Sequence, residues 1–226
     1  MTRTRHLSPR QDNSRPDAGR HSAYERMGVQ EMQTVMVVIP PDLPGVSMQR
    51  TQSAGIGVAV PQRRVDRWWE TVSGREKQPR GRMLPHMDLL YTLAVAEQAG
   101  AAVSLLDIGL EGWAGDTALQ GVDNRIEPFV RAGGRVWIGV AVSMPSLLHD
   151  IAFAQAVKRR HPETIVFLLG NSIMTTLPHW IGEARGVDAI VYGEPEAVVP
   201  GMLAATGDTW LRVPGVVDPT GWDGPD

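Results

Sequence analysis

Five short apolar runs, each separated from the next by a helical pattern, constrain this chain more than anything else in it. They are Thr34-Val35-Met36-Val37-Val38-Ile39, Ala102-Val103-Ser104-Leu105-Leu106, Val136-Trp137-Ile138-Gly139-Val140-Ala141-Val142, Ile165-Val166-Phe167-Leu168-Leu169 and Ala189-Ile190-Val191-Tyr192. A strand with water on one face alternates apolar and polar residues. These runs do not alternate, so both of their faces must be covered. Strands covered on both faces and linked by helices form a parallel α/β sheet.

The linking segments have helical spacing. Asp88 is placed to cap a helix carrying Leu89, Leu90, Leu93, Ala94 and Ala96, which Gly100 ends. Residues 116–132 carry Leu119, Val122, Ile126, Phe129 and Val130 at helical spacing, with a kink or break expected at Pro128. Residues 146–160 place Leu147, Ile151, Ala154 and Val157 on one face, and Pro162 stops them. A short helix is expected over 178–185 and another over 196–205. Five parallel strands in the order 2-1-3-4-5, a doubly wound flavodoxin-like arrangement, follow from this reading.

The expected organisation is a disordered basic tail over residues 1–30, one domain over 31–206 and an irregular segment over 207–226. From Gly207 onward Gly and Pro dominate, and no core element is expected there. Inside the domain, an insert over 42–87 replaces a βα loop that is ordinarily only about 2–6 residues long. Its 61–85 portion carries Arg63, Arg64, Arg67, Arg75, Lys77, Arg80 and Arg82 against three acids. That charge suits a solvated loop, nucleic acid or an acidic partner. Trp68-Trp69 indicate that part of the insert packs on something.

With 226 residues and no cysteine, the chain can hold neither a disulfide nor a thiolate-bound zinc or iron–sulfur cluster. It has no apolar run of membrane-spanning length and no secretory h-region near its start, so a cytoplasmic location is expected. Neither a membrane nor nucleic acid is expected as a partner.

Ligands of open parallel sheets bind beyond the carboxyl ends of the strands, where the strand order reverses. Those ends carry Pro40-Pro41, Asp107, Ser143-Met144-Pro145, Gly170-Asn171-Ser172 and Gly193-Glu194-Pro195-Glu196. Together with Leu93-Ala94-Val95-Ala96-Glu97-Gln98-Ala99-Gly100 and Lys158-Arg159-Arg160-His161-Pro162, in this order and spacing, they resemble the cobalamin-binding domain of cobalamin-dependent radical SAM enzymes. The likeness spans roughly residues 33–206. Two positions depart from the family pattern: Asn171 replaces a second glycine, and Pro195 stands between Glu194 and Glu196. There is also no Asp-x-His-x-x-Gly segment, so the resemblance implies cobalamin with its nucleotide tail displaced.

The resemblance implies cobalamin as cofactor. It implies Pro40, Pro41, His86, Asp107, Ser143, Met144, Gly170, Asn171, Ser172, Gly193 and Glu194 as the residues around it. It implies no catalytic residue and no side-chain metal ligand. The cysteine-ligated cluster of such enzymes would belong to a separate radical SAM protein, this chain's expected partner. A subunit of that kind is preferred to a fragment ending where the barrel begins, although Val213-Pro214-Gly215-Val216-Val217 resembles the interdomain connection.

Several residues keep two readings. His86 is either a cobalt ligand or face contact, or a loop or capping histidine, and Trp68-Trp69 either cover the ligand or anchor the insert. Glu194 and Glu196 suit acid–base work or a helix N-terminus. His149 and His161 are too far apart for a metal site. Two other functions fit the same sheet. One is a flavodoxin-like interaction or regulatory protein that has lost its cofactor. The other is an enzyme using a nucleotide or S-adenosylmethionine directly, for which Ala54-Gly55-Ile56-Gly57 is a weak fingerprint.

Overall fold

In a computed structural model of the chain, residues 32–43, 46–49, 58–61, 87–170 and 180–221 are described. The N-terminal tail, Trp68, Trp69, His86, Asn171 and Ser172 lie outside them. The described residues belong to one unit, Met32–Asp226.

The five expected runs are strands: β1 Gln33–Ile39, β4 Ala102–Asp107, β5 Arg135–Ala141, β6 Ile165–Leu169 and β7 Ala189–Val191. They pair in parallel in the order β4-β1-β5-β6-β7. The sheet has six strands rather than the expected five. β8, Val216–Val217, pairs antiparallel with β7. Two residues are too few to show a hydrophobic period, which is why β8 left no sequence signal. The insert also supplies a separate antiparallel pair, β2 Val46–Gln49 and β3 Val58–Pro61.

The helices are α1 Met87–Gln98, the single turn α2 Ile108–Glu111, α3 Gly115–Arg131, α4 Leu147–Arg160 and α5 Pro195–Ala204. α3 runs unbroken through Pro128 instead of splitting there. Pro128 is exposed and close to the helix end, so the carbonyl that loses its donor can meet water. Of the helix expected over 178–185, the described part is a 3-10 turn, Ile181–Ala184.

Alternate residues of each strand face opposite layers. On one side Met36, Val38, Ile138, Val140, Val166 and Leu168 pack under Val122 and Ile126 of α3 and Ile151 and Ala154 of α4. On the other, Val35, Val37, Ile39, Trp137, Phe167 and Leu169 pack under Leu89 and Leu93 of α1 and Val199 and Met202 of α5. Trp210 closes this second layer with its ring edge-on to Trp137, centroids 5.4 Å apart. The segment beyond Gly207, expected to hold no core element, therefore supplies a buried tryptophan and a strand. Among the described residues no helix is long and apolar enough to cross a membrane.

Candidate functional site

Because the five main strands are parallel, all of their carboxyl ends lie along one edge of the sheet. Ile39 is level with Asp107, Val38 with Val140, Ala141 with Leu169 and Leu168 with Ile190. Strands lie about 4.8 Å apart, so from β4 to β7 this edge is roughly 19 Å wide. Pro40, Pro41, Asp107, Ser143, Met144, Gly170, Gly193 and Glu194 are spread along it.

At the β1 and β4 ends, Pro40 and Pro41 are buried. The Asp107 carboxylate accepts a hydrogen bond from the Leu110 backbone N–H at 2.9 Å and so caps α2. Asp42 reaches the same turn. A Cβ built on Gly109 would lie 3.5 Å from Oδ1 of both Asp42 and Asp107. Two carboxylates thus converge beside the end of β1, and Asp107 is already engaged in fixing the turn.

The β5 end is held by a buried polar network that sequence reasoning did not find. Asp150, on α4, is fully buried. Its Oδ2 accepts from the Ser143 backbone N–H at 3.0 Å and from the Ser146 hydroxyl at 2.7 Å. The hydroxyls of Ser143 and Ser146 are 2.9 Å apart. Ser143 is itself fully buried. Its hydroxyl, expected to face a ligand, is turned inward. The signal available was Asp150 beside Leu147, Ile151 and Ala154, a carboxylate on the buried stripe of a helix, which demands donors. Met144, the next residue, stands 36% exposed in the turn Met144–Ser146. β3 of the insert packs against that turn.

Gly170 at the β6 end is buried with φ +153°, and a Cβ there would meet the Val142 carbonyl oxygen at 2.6 Å. Its lack of a side chain lets two strand ends approach each other, whatever it does for a ligand. Gly193 differs. At φ +116° it needs glycine for its backbone, but no described residue other than its chain neighbours lies within 4 Å of where a Cβ would be. Glu194 is exposed, and its carbonyl accepts from the Ala197 and Val198 N–H groups at the start of α5. Glu196 follows in the first turn, its Oε2 buried and without a hydrogen-bond partner among the described residues. No protein-family model matches the chain, and no curated protein is significantly similar to it.

His149 and His161 do not meet. The His161 ring lies between Asp123, at 2.7 Å, and Glu163, at 3.6 Å. Arg160 also bonds Asp123, at 2.6 Å. This cluster ties α3 to the loop before β6, at the opposite edge of the sheet. Among the described residues no group of three or more His, Asp or Glu side chains is placed to hold a metal ion.

Proposed function

We propose that this chain binds cobalamin along the carboxyl edge of its sheet, as the cofactor-carrying subunit of a cytoplasmic radical SAM methyltransferase or related catalyst. The observation that carries the reading is the alignment of the described strand-end segments, Pro40-Pro41, Asp107, Ser143-Met144, Gly170 and Gly193-Glu194, along that single edge. Its width of roughly 19 Å is too great for a small ligand to touch both ends, and it suits a large one.

Three of the residues present fit such a group. No described residue other than its chain neighbours lies within 4 Å of where a Cβ on Gly193 would stand, so a broad ligand can approach the backbone closely there. The buried Oε2 of Glu196 is an acceptor with no hydrogen-bond partner among the described residues, which an amide of the ligand would reach by displacing the atoms that cover it. The exposed side chain of Met144 adds an apolar contact. When bound, cobalamin would carry a methyl group. This chain's own residues would hold and orient it, and the radical would be generated by the separate cluster-bearing partner.

A second reading, an interaction or regulatory protein without cofactor, is favoured by three observations. Ser143 is turned inward, the Val142 carbonyl fills the space in front of Gly170, and β3 lies on the Met144–Ser146 turn. Incubation with hydroxocobalamin, desalting and a visible spectrum separates the two. Retention of the cofactor at stoichiometric level, lost in Met144→Glu with circular dichroism unchanged, supports the first. A colourless, folded protein overturns the first and leaves the readings without cobalamin.

A further inference from the structure

The two edges of the main sheet end differently. Beyond β7 the short antiparallel β8 closes the edge, and the Tyr192 N–H donates to the Gly215 carbonyl at 2.6 Å. β4, at the other edge, has no strand beyond it among the described residues. It is also the least covered of the parallel strands. Ala102 is exposed and Val103, Ser104 and Leu105 are only partly buried, whereas six of the seven residues of β1 are buried. Natural edge strands are usually protected by charge, proline, a bulge or a covering element. From Ala102 to Leu106, β4 has no charged residue and no proline.

Beside this edge lies α1, which is apolar on two faces. Leu89, Thr92, Leu93 and Ala96 form the buried stripe. Met87, Leu90, Tyr91 and Ala94 form a second stripe at the same i, i+3, i+4, i+7 spacing. Met87 is 49%, Leu90 39% and Tyr91 57% exposed. Asp88, Glu97 and Gln98 are the polar positions that lie outside these two stripes, and an apolar stripe left in water marks a face that a partner can cover. The described part of the insert does not cover it, since β3 packs at the end of β5 instead.

We infer that β4 and the outer stripe of α1 form a self-association surface, and that its occupant is a second copy of this chain. β4 of each copy pairs antiparallel across a twofold axis, and the sheets merge into one. The axis must stand perpendicular to the sheet, because only then do like faces of the two copies stay on one side. With Ser104 on the axis, Val103 pairs with Leu105 and Ala102 with Leu106. Asp107, the one charge in the strand, falls opposite Ala101, so no like charges meet.

The helix spacing selects this occupant. α1 packs against both β1 and β4, so its axis lies about half a strand spacing inside β4. The twofold lies the same distance outside. With strands about 4.8 Å apart, the two α1 helices stand about 10 Å apart, within the roughly 8–10 Å at which helices pack. Tyr91 and Leu90 of the two copies then cover one another. A lone strand from another protein would complete the ladder but leave that stripe in water.

The absence of cysteine allows a direct test on the full chain. Directly opposed residues of an antiparallel pair have Cα atoms about 4.5–5.5 Å apart, inside the range a disulfide spans. Ser104→Cys should give a disulfide-linked dimer on mild oxidation. Thr117→Cys, exposed at the start of α3, should not. Sedimentation of the unmodified chain should give a dimer, and Tyr91→Glu should sediment as a monomer with unchanged circular dichroism. An unmodified chain that is monomeric at every concentration overturns the proposal. So does equal cross-linking at positions 104 and 117. If Tyr91→Glu fails to fold, the cross-linking comparison decides alone. None of these measurements involves a ligand, so the result is independent of cobalamin binding.

Discussion

The Val142 carbonyl oxygen occupies the space that a side chain on Gly170 would need, 2.6 Å from the position of its Cβ. With φ at +153° the backbone there also disfavours any L residue. A bulky residue at 170 therefore acts on the packing of two strand ends and not only on a loop at the carboxyl edge. Gly170→Leu should lower stability by about 2–4 kcal/mol, through strain and displacement of the β5 and β6 ends. Urea unfolding measures it, and a midpoint equal to that of the unmodified chain would show that the two strand ends are not so close.

The buried carboxylate of Asp150 makes a second prediction. Asp150→Ala leaves the Ser143 N–H and the Ser146 hydroxyl without this acceptor. It should cost on the order of 3 kcal/mol, since hydrogen bonds to a charged group are the strong ones and orphaned donors retain their desolvation penalty. If the network positions the Met144 turn, cobalamin retention should fall further than the unfolded fraction explains. Stability within about 0.5 kcal/mol of the unmodified chain would place Asp150 among ordinary surface sites.

How far the sequence discloses this molecule depends on how many residues carry each signal. β1, β5 and β6 are legible because unbroken apolar runs announce burial on both faces. α4, expected over 146–160, is Leu147–Arg160, because Pro162 and the polar end punctuate it. β8 has two residues and no period to read. Trp210 is hidden among Gly and Pro, and only tertiary packing against Trp137 makes it core. In the candidate site, the convergence of the strand ends follows from topology alone. The inward turn of Ser143 does not, because it depends on Asp150, seven residues away on the next helix.

Trp210 gives the third prediction. It is 4% exposed and packs edge-on to Trp137, whose indole N–H donates to Gln33 at 3.0 Å. Trp210→Ala should destabilise by about 3–5 kcal/mol, as removal of a large buried aromatic does. Loss of near-ultraviolet dichroism should accompany the shift in midpoint. A silent substitution would return residues 207–221 to the status of a dispensable tail.

A fourth prediction concerns acid pH. The Thr220 hydroxyl donates to Asp218 Oδ1 at 2.6 Å and the Thr220 backbone N–H at 2.8 Å. The hydroxyl bond is the main cause holding the Asp218 carboxyl below its ordinary value of 3.8, against partial burial, which acts the other way. A depressed folded pKa means stabilisation that is present above the unfolded value and is lost as pH falls through the folded one. Thr220→Val should move the Asp218 titration, followed by NMR, upward toward 3.8. The stability difference between the two proteins should vanish at pH below both values. A downward or absent shift would contradict the assigned bond.

The last prediction separates binding from folding at Glu196. Its place in the first turn of α5 favours a carboxylate through the helix dipole. Yet Oε2 is buried without a hydrogen-bond partner among the described residues. An acceptor left in that state disfavours the folded form, so replacing it by an apolar group of similar length should be neutral or stabilising by up to about 1 kcal/mol. Glu196→Met should therefore keep or raise the unfolding midpoint while weakening cobalamin retention, because the acceptor offered to the ligand is gone. Opposite movement of stability and binding marks a group held for function rather than for folding. A variant that loses about 2 kcal/mol or more of stability while retaining the cofactor as well as the unmodified chain would reverse the assignment, making Glu196 a structural residue of α5.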